Sequence, residues 1–213
     1  CEVCCKSHSN HTSHGYAEGF KYIVLDIEGT TTPITFVKDV LFPYARDHVT
    51  THLRTTWSHS TTQSDIQMLC SQILEDFHQF QNNSLPANLN PFPSWIVDEI
   101  PFIESISSPR SSASSASSSS LSSDSVNEEL LTFLTKYVHW CIEMDRKIAS
   151  LKNLQGHIWR HGYESNNLHS IVYDDVPIFF SKMKRLGAQV CIYSSGSREA
   201  QKLLFKHSNH GDL

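Results

Sequence analysis

The chain lacks a long apolar run, and it carries little charge of either sign. None of its apolar runs approaches the roughly 20 residues that a membrane-spanning helix needs. Charged residues make up only 18% of the 213 residues, and the formal net charge is −5. Because no excess of positive charge favours nucleic acid or an acidic membrane surface, we expect neither as a partner.

The chain also lacks a regular spacing of cysteines. Three of the six lie within the first five positions, and Cys70, Cys141 and Cys191 stand apart in apolar contexts. This distribution does not form a disulfide framework and is typical of a reducing compartment, so we expect a cytoplasmic protein.

The first 17 residues are polar and rich in cysteine and histidine. A structural zinc site needs paired ligands separated by a loop that orders them, whereas these side chains follow one another along one short segment. We therefore predict that residues 1–17 form a disordered tail, with metal binding by this tail as the open alternative.

A serine-rich tract interrupts the middle of the chain. Residues 107–125 contain 13 serines in 19 positions. Such a run buries too little apolar surface to offset the entropy lost on ordering, so we predict that residues 104–127 form a disordered insertion.

Apolar residues at helical spacing predict helices on both sides of this tract. An apolar stripe that runs from Phe36 to Tyr44 predicts a helix, which Pro43 is expected to kink or divide. A second helix is expected to begin at Ser64. Residues 81–95 are rich in Asn and Pro and predict a loop. The helical pattern resumes at Glu128 and continues through Gly156, where a glycine either allows close backbone packing or ends the helix.

Two short apolar runs predict buried strands, and a polar loop follows each. The first run, from Tyr22 to Leu25, is followed by Asp26, Glu28 and Gly29. Around the second run, helix, strand, loop and helix are expected at residues 174–186, 188–193, 194–197 and 198–206. This order is the unit of a parallel sheet covered by helices.

The two loops offer complementary chemistry. Asp26 and Glu28 are two residues apart at the end of a strand, so their side chains are expected on one face. The loop at 194–197 supplies hydroxyls and backbone N–H groups at a helix N-terminus, which suits a phosphate group. A carboxylate beside a phosphate anchor is an arrangement for phosphoryl transfer. The alternative is a strand that ends in a polar turn with two solvated acids.

The string from Asp26 to Ile34 resembles the first signature of the haloacid-dehalogenase-like phosphatases. Glu28 and the Gly-Thr-Thr-Thr-Pro-Ile tail are similar to one branch, the enolase-phosphatases or acireductone synthases of methionine salvage. The stretch from Val190 to Phe205 resembles the second signature of that branch. Two further stretches resemble the end of its helical cap, at residues 145–147 and 154–159.

The resemblance implies an α/β fold, a Rossmann-like parallel-sheet core of the haloacid-dehalogenase type with an inserted helical cap. The core is expected at residues 18–45 and 166–213 and the cap at 46–165. Family members continue for several strands beyond the second signature, so we expect this chain to be C-terminally truncated, its core incomplete and its activity low.

The resemblance also implies a Mg²⁺-dependent hydrolase of phosphoric monoesters. Its substrate would be a small phosphorylated diketone, 2,3-diketo-5-methylthiopentyl-1-phosphate. Its products would be the acireductone 1,2-dihydroxy-3-keto-5-methylthiopentene and phosphate, a step in making methionine from methylthioadenosine. We expect a monomer, cytoplasmic with nuclear location as an addition.

The resemblance assigns roles to four residues of this sequence. Asp26 would be the nucleophile and a Mg²⁺ ligand, and Glu28 a second ligand and the acid and base. Ser194 and Ser195 would hold the phosphate oxygens. Two alternatives stay open: a phosphatase of the same superfamily with another small substrate, and a truncated product without catalysis.

Overall fold

The computed structural model of the chain describes residues 21–89, 91–107 and 125–213. Helices dominate these ranges, and one short parallel sheet accompanies them. The strands are β1 (Tyr22–Leu25) and β2 (Gln189–Ile192). The α-helices are α1 (Ile34–Phe36), α2 (Phe42–Thr55), α3 (Ser60–Gln81), α4 (Ser94–Val97), α5 (Ile100–Ser107), α6 (Glu128–Glu143), α7 (Ala149–Glu164), α8 (Asp175–Arg185) and α9 (Arg198–Lys206). Across the described ranges, none of the helices combines the length and the apolarity needed to cross a membrane.

The two strands pair in parallel, as the sequence predicts. Tyr22 lies opposite Gln189 and Leu25 lies opposite Ile192. The backbone N–H of Tyr193 then donates to the Leu25 carbonyl oxygen at 2.8 Å, which extends the ladder by one residue. Because the strands run in the same direction, the loops that follow them leave from the same edge of the sheet.

The prediction that both strands are buried is wrong. The side chains of Tyr22, Val24 and Tyr193 are 62%, 65% and 79% exposed. Residues of the opposite face, such as Ile23 and Ile192, are half-buried. Apolar composition predicted the strands correctly, but burial depends on what packs on each face, and the described residues cover only one.

The helices enclose an extensive apolar cluster, called here the helical core. Its members come from α2 through α7, and many are fully buried. Representative side chains with no exposed area are Leu53, Leu69, Ile103, Leu134 and Leu154. Within the longer helices, members of this cluster recur at three- and four-residue spacing, so each of these helices presents one apolar stripe to the others.

A second cluster, called here the sheet-side core, lies beneath the sheet. It consists of Ile27, Phe36, Leu41, Tyr163, Leu168, Val172, Val176, Leu203, Leu204 and Phe205. Tyr44 and Trp159 pack against both cores. The Trp159 indole Nε1–H also donates to the Leu41 carbonyl oxygen at 2.8 Å, so α7 is fixed to the segment that follows β1.

The helix around Pro43 continues where a kink or division was predicted. A π-helical segment, Val37–Leu41, joins α1 to α2, and the Phe42 N–H donates to the Val37 carbonyl oxygen. Pro43 lies in the first turn of α2. Since proline has no N–H, the wider π turn immediately before it absorbs the interruption and the helix goes on.

Two predicted boundaries are wrong. Helix α3 begins at Ser60 instead of Ser64. The side-chain amide of Gln63 donates to the Trp57 carbonyl oxygen at 2.6 Å and so stabilises an earlier first turn. Helix α5 runs to Ser107 and so enters the stretch predicted to be disordered.

At the other end of that stretch, the Asn127 side chain caps α6 by accepting from the Leu130 N–H at 2.9 Å. Residues 108–124 and the tail at 1–17 lie outside the described residues. The proposed division into core and cap stays a prediction.

Candidate active site

Asp26 and Glu28 follow β1 in a tight loop. Both are exposed, while Ile27 between them is buried at 5% exposure. The Ile27 N–H donates to Asp26 Oδ1 at 2.8 Å, which orients the carboxylate and leaves Oδ2 without a hydrogen-bond partner among the described residues. The two acids therefore alternate with a buried anchor and both reach solvent at the strand end.

The loop owes its shape to one carbonyl oxygen and one glycine. The Ile27 carbonyl oxygen accepts from the backbone N–H groups of Thr30, Thr31 and Thr32 at 3.2, 2.9 and 3.0 Å. Gly29 has a φ of +75°, and its N–H donates to the Thr32 carbonyl oxygen at 2.7 Å. A side chain at that φ would be strained, and a Cβ would lie 3.0 Å from Ile34 Cγ1.

The same loop is fixed to the chain segment that precedes α8. The Tyr173 N–H donates to the Thr31 carbonyl oxygen at 3.0 Å. The buried Thr32 hydroxyl donates to the Ile171 carbonyl oxygen. The threonines that follow the acids thus hold the loop in place, a role that the sequence pattern did not reveal.

The serine loop leaves β2 at the same edge. Ser194 is half-buried and Ser195 is exposed. The Ser194 Oγ accepts from the Gly196 N–H at 3.2 Å, and the Ser197 Oγ caps α9 by accepting from the Ala200 N–H at 3.1 Å. The Ser194 hydroxyl proton is therefore free to donate to an oxygen at the edge of the sheet.

The acids of the first loop fit a magnesium ion. Mg²⁺ is usually held by one or two carboxylates, with waters and substrate phosphate oxygens in the other positions. Asp26 and Glu28 supply two exposed carboxylates on one loop. Among the described ranges, no group of three or more His, Cys, Asp or Glu side chains is placed to hold a metal. The two acids would therefore need oxygens from water and substrate.

The polar residues of α7 contact protein groups. The Trp159 ring packs between the two cores, and its N–H is bonded to Leu41. Arg160 forms an ion pair with Glu199 in the first turn of α9, directly after the serine loop. This ion pair joins the helical region to the loop that is expected to bind phosphate.

The helix glycines differ from expectation. Gly156 lies inside α7 and neither ends it nor packs closely, because a Cβ there would meet nothing within 4 Å. Gly162 is the position of close approach, since a Cβ there would lie 2.7 Å from three atoms of the Tyr44 side chain. Sequence alone did not distinguish the two glycines.

A buried ionic network of Asp76, Tyr137 and Arg146 was not predicted from the sequence. Arg146 Nη2 donates to Asp76 Oδ1 at 2.8 Å, and the Tyr137 hydroxyl donates to Asp76 Oδ2 at 2.9 Å. Arg146 also lies over the Trp140 ring. The Arg and Asp side chains are 6% and 2% exposed, so the network is structural and joins α3, α6 and the α6–α7 connection.

The chain is similar in sequence to proteins of two plants. No model of a protein family matches the chain. A Populus trichocarpa protein named "Probable bifunctional methylthioribulose-1-phosphate dehydratase/enolase-phosphatase E1" is 46% identical over 191 residues, 90% of this chain and 30% of that protein. A protein of the same name from Ricinus communis is 44% identical over 202 residues, 95% of this chain and 32% of that protein.

The chain is homologous to part of these plant proteins. It spans about a third of their length. Among solved structures, the UTR4 protein of Saccharomyces cerevisiae is 27% identical, with a TM-score of 0.48 over 92% of this chain and 61% of that chain. Sequence similarity at 40–46% identity to proteins named as enolase-phosphatases therefore supports the functional class expected from the two signatures.

Proposed function

We propose that the chain carries the phosphatase site of an enolase-phosphatase of methionine salvage. The reaction would be enolisation of 2,3-diketo-5-methylthiopentyl-1-phosphate followed by hydrolysis of its phosphate ester, which gives 1,2-dihydroxy-3-keto-5-methylthiopentene and phosphate. The observation that carries the proposal is the parallel register of β1 and β2, because it brings the acidic loop and the serine loop to one edge of the sheet. The names of the plant relatives support the choice of substrate.

Asp26 is the nucleophile in this proposal. Its carboxylate is exposed, and the Ile27 N–H holds Oδ1, so Oδ2 is the oxygen that attacks phosphorus. The new bond joins Asp26 to phosphorus, and the bond from phosphorus to the substrate oxygen breaks with its electron pair. Water then attacks the aspartyl phosphate, which releases phosphate and restores the carboxylate.

Glu28 moves the protons in both steps. It donates a proton to the leaving substrate oxygen and then takes one from the attacking water, so that it returns to its starting state. Its exposure on the same loop as Asp26 allows it to reach both oxygens. Ser194 and Ser195 donate hydroxyl hydrogen bonds to the phosphate oxygens from the adjacent loop.

Asp26, through its carboxylate, and Glu28, through its backbone carbonyl oxygen, would also hold a Mg²⁺ ion, so the Glu28 carboxyl group stays free to carry protons. When bound, the ion offsets the repulsion between the nucleophile carboxylate and the dianionic phosphate group. The ion pair between Arg160 and Glu199 would hold α7 against the helix that follows the serine loop. Asp26, Glu28 and Ser195 are exposed in the free chain, so we expect the helical region to close over the site and exclude water only when substrate is bound.

The experiment measures phosphate release from the diketone phosphate in the presence of Mg²⁺. It compares the 213-residue chain with the complete product of its transcript, because the plant relatives are about three times as long. We expect Asp26→Asn to reduce release by at least about a thousandfold in the active form, because an amide is a poor nucleophile. Asp47→Asn, which makes the same chemical change on the exposed side of α2, is the matched control.

Three outcomes would contradict the proposal. Full activity after Asp26→Asn would remove Asp26 as the nucleophile. Faster release from other small phosphate esters than from the diketone phosphate would retain the phosphatase and reject the substrate. Absence of phosphate release from both the short and the long form would reject the enzyme.

A further inference from the structure

A cavity of about 210 Å³ lies between α2, the start of α3 and the second half of α7. None of the four residues proposed for phosphate hydrolysis lines it. Since a water molecule occupies about 30 Å³ of liquid, the cavity has room for a small solute with a few waters. It is therefore a separate feature of the helical region.

The wall of this cavity contains a buried histidine without a partner. His52 on α2 is 7% exposed, and neither of its ring nitrogens is hydrogen-bonded. Its ring lies 6.1 Å from the ring of His161, which also lines the cavity. A buried polar group without a partner costs free energy, so a native structure normally supplies one.

The N-terminus of α3 faces the same cavity. Its N-cap residue, His59, makes no side-chain hydrogen bond to the helix, and Thr61 and Thr62 of the first turn line the cavity. The first N–H groups of this 22-residue helix therefore have no side-chain cap. Such N–H groups, with the positive end of the helix dipole, favour a negative charge.

Arg160 adds a cationic donor from α7. Its Nε is buried and has no hydrogen-bond partner, while its Nη2 is paired with Glu199. His157 and His161 lie four residues apart on the same face of α7 and also line the cavity. Against these cationic or protonatable groups, the cavity wall has one carboxylate, that of Glu164.

We propose that this cavity is a binding site for a small dianionic oxyanion of the phosphate or sulfate type. The uncapped α3 amides, the free Arg160 Nε–H, the His52 ring and the Thr61 hydroxyl supply donors from three elements, whereas the Thr56 and Thr62 hydroxyls already donate within the protein. A transition metal is less well matched, because Arg160 offers only donors. The described ranges also hold no group of three metal-ligand side chains in position.

The charges around His52 predict how binding depends on pH. The titratable and charged groups that face it are His59 and Asp65 of α3, His157, Arg160, His161 and Glu164 of α7, and Glu199 of α9. Burial, followed by repulsion from His161, lowers the pKa of His52 to about 4. A bound anion favours protonated imidazole, so binding takes up protons and strengthens as the pH falls.

The test is calorimetric titration of the purified chain with inorganic phosphate and with sulfate. Arg160→Gln should weaken both by about tenfold, because one charge-assisted hydrogen bond is lost. Lys152→Gln removes the same charge from an exposed position of the same helix and should change affinity less than about twofold. His161→Gln is a second variant, at an exposed position where folding is not at risk.

Sulfate tests the pH dependence, since its charge is constant between pH 6 and 8. Its affinity should rise at least about threefold from pH 8 to pH 6. Titration with glycerol phosphate distinguishes a monoester site, which would bind it at least as well as inorganic phosphate, from a site for the free ion. Dependence on Arg160 distinguishes this site from the sheet edge, because none of the four residues proposed for hydrolysis lines the cavity.

Several results would overturn the proposal. These are no anion binding by the folded chain, and equal losses in Arg160→Gln and Lys152→Gln. Zinc binding that requires His52 or His161, without anion binding, would show that the histidines serve a metal. Failure of the hydrolysis assay would not bear on this site, since the titration needs no turnover.

Discussion

The helical core and the sheet differ in how completely they are covered. Side chains of the helical core, such as Leu53 and Leu134, have no exposed area, whereas Val24 of β1 is 65% exposed. Six helices bury their apolar stripes against one another, but a two-stranded sheet has two faces, and the described residues cover one. The helical core therefore supplies most of the burial that stabilises the chain.

The proposed chemistry lies on the less covered side of this comparison. Asp26, Glu28 and Ser195 are exposed in loops at the edge of the sheet. Backbone hydrogen bonds to the Ile27 carbonyl oxygen shape the first loop, so its form does not depend on the acidic side chains. Substitutions of these side chains should change function with little change in stability, and substitutions in the helical core should do the reverse.

The largest expected effect is in the buried network of the helical core. Asp76→Ala leaves Arg146 buried without its carboxylate, so we expect a loss of about 3–5 kcal/mol in the free energy of unfolding. Urea denaturation followed by circular dichroism measures the change. Glu75→Gln, at the exposed neighbouring position, should cost less than about 0.5 kcal/mol. Similar losses in the two variants would mean that Asp76 and Arg146 are solvated.

The next largest change in stability is expected at Gly162, which packs against Tyr44 where the helical core meets the sheet-side core. Ala in place of Gly gains about 1 kcal/mol of helix propensity at either Gly156 or Gly162. At Gly162 the new methyl group also meets the Tyr44 ring at 2.7 Å, which we expect to cost about 3 kcal/mol. Gly156→Ala should therefore raise the melting temperature and Gly162→Ala should lower it. Tyr44→Leu should restore part of the loss, and equal melting temperatures would contradict the close packing.

Sequence reasoning was accurate where local pattern decides the structure. The limits of β1 and α9 and the start of α6 were predicted to within a residue, because apolar spacing defines them. The parallel order of the strands followed from the helices expected on either side of β2.

Features that depend on distant contacts were not predictable in this way. Asp76 and Arg146 are 70 residues apart, and nothing in the local pattern of either marks a buried ion pair. The orphan ring of His52 and the close approach at Gly162 also depend on which helices become neighbours. The four proposed site residues were named from their signatures, and their roles stay proposals.

A smaller loss in the free energy of unfolding is expected when the pH is lowered, because of the buried His52 on α2. The pKa of His52 is lowered to about 4 by burial first and by His161, His157 and His59, against the attraction of Asp65. The stability is therefore complete above the unfolded pKa of about 6.5 and is lost as the pH falls toward 4. Between pH 7.5 and 5.0 we expect a loss of about 2 kcal/mol, measured in buffers free of phosphate and sulfate.

The comparison that isolates this contribution is His52→Gln, which removes the titrating ring and keeps a polar side chain. The hydrogen bond that His157 Nδ1–H donates to Asp65 raises the pKa of His157, so that histidine contributes stability that is lost as the pH rises through its folded pKa. The two contributions therefore have opposite signs. The acid loss should be smaller in His52→Gln, and an unchanged loss would assign it to other groups.

The smallest effect should come from the sheet, and it measures the difference in coverage directly. Val24→Thr and Val49→Thr replace the same methyl group by a hydroxyl, at positions that are 65% and 0% exposed. Water solvates the hydroxyl at Val24, so the free energy of unfolding should change by less than about 0.5 kcal/mol. In the helical core the hydroxyl loses its water, so Val49→Thr should cost about 1–3 kcal/mol. Urea denaturation of both variants at one pH gives the two values. Equal losses would mean that the outer face of β1 is covered in solution, and dilution of the protein during the measurement would then show whether a second copy of the chain covers it.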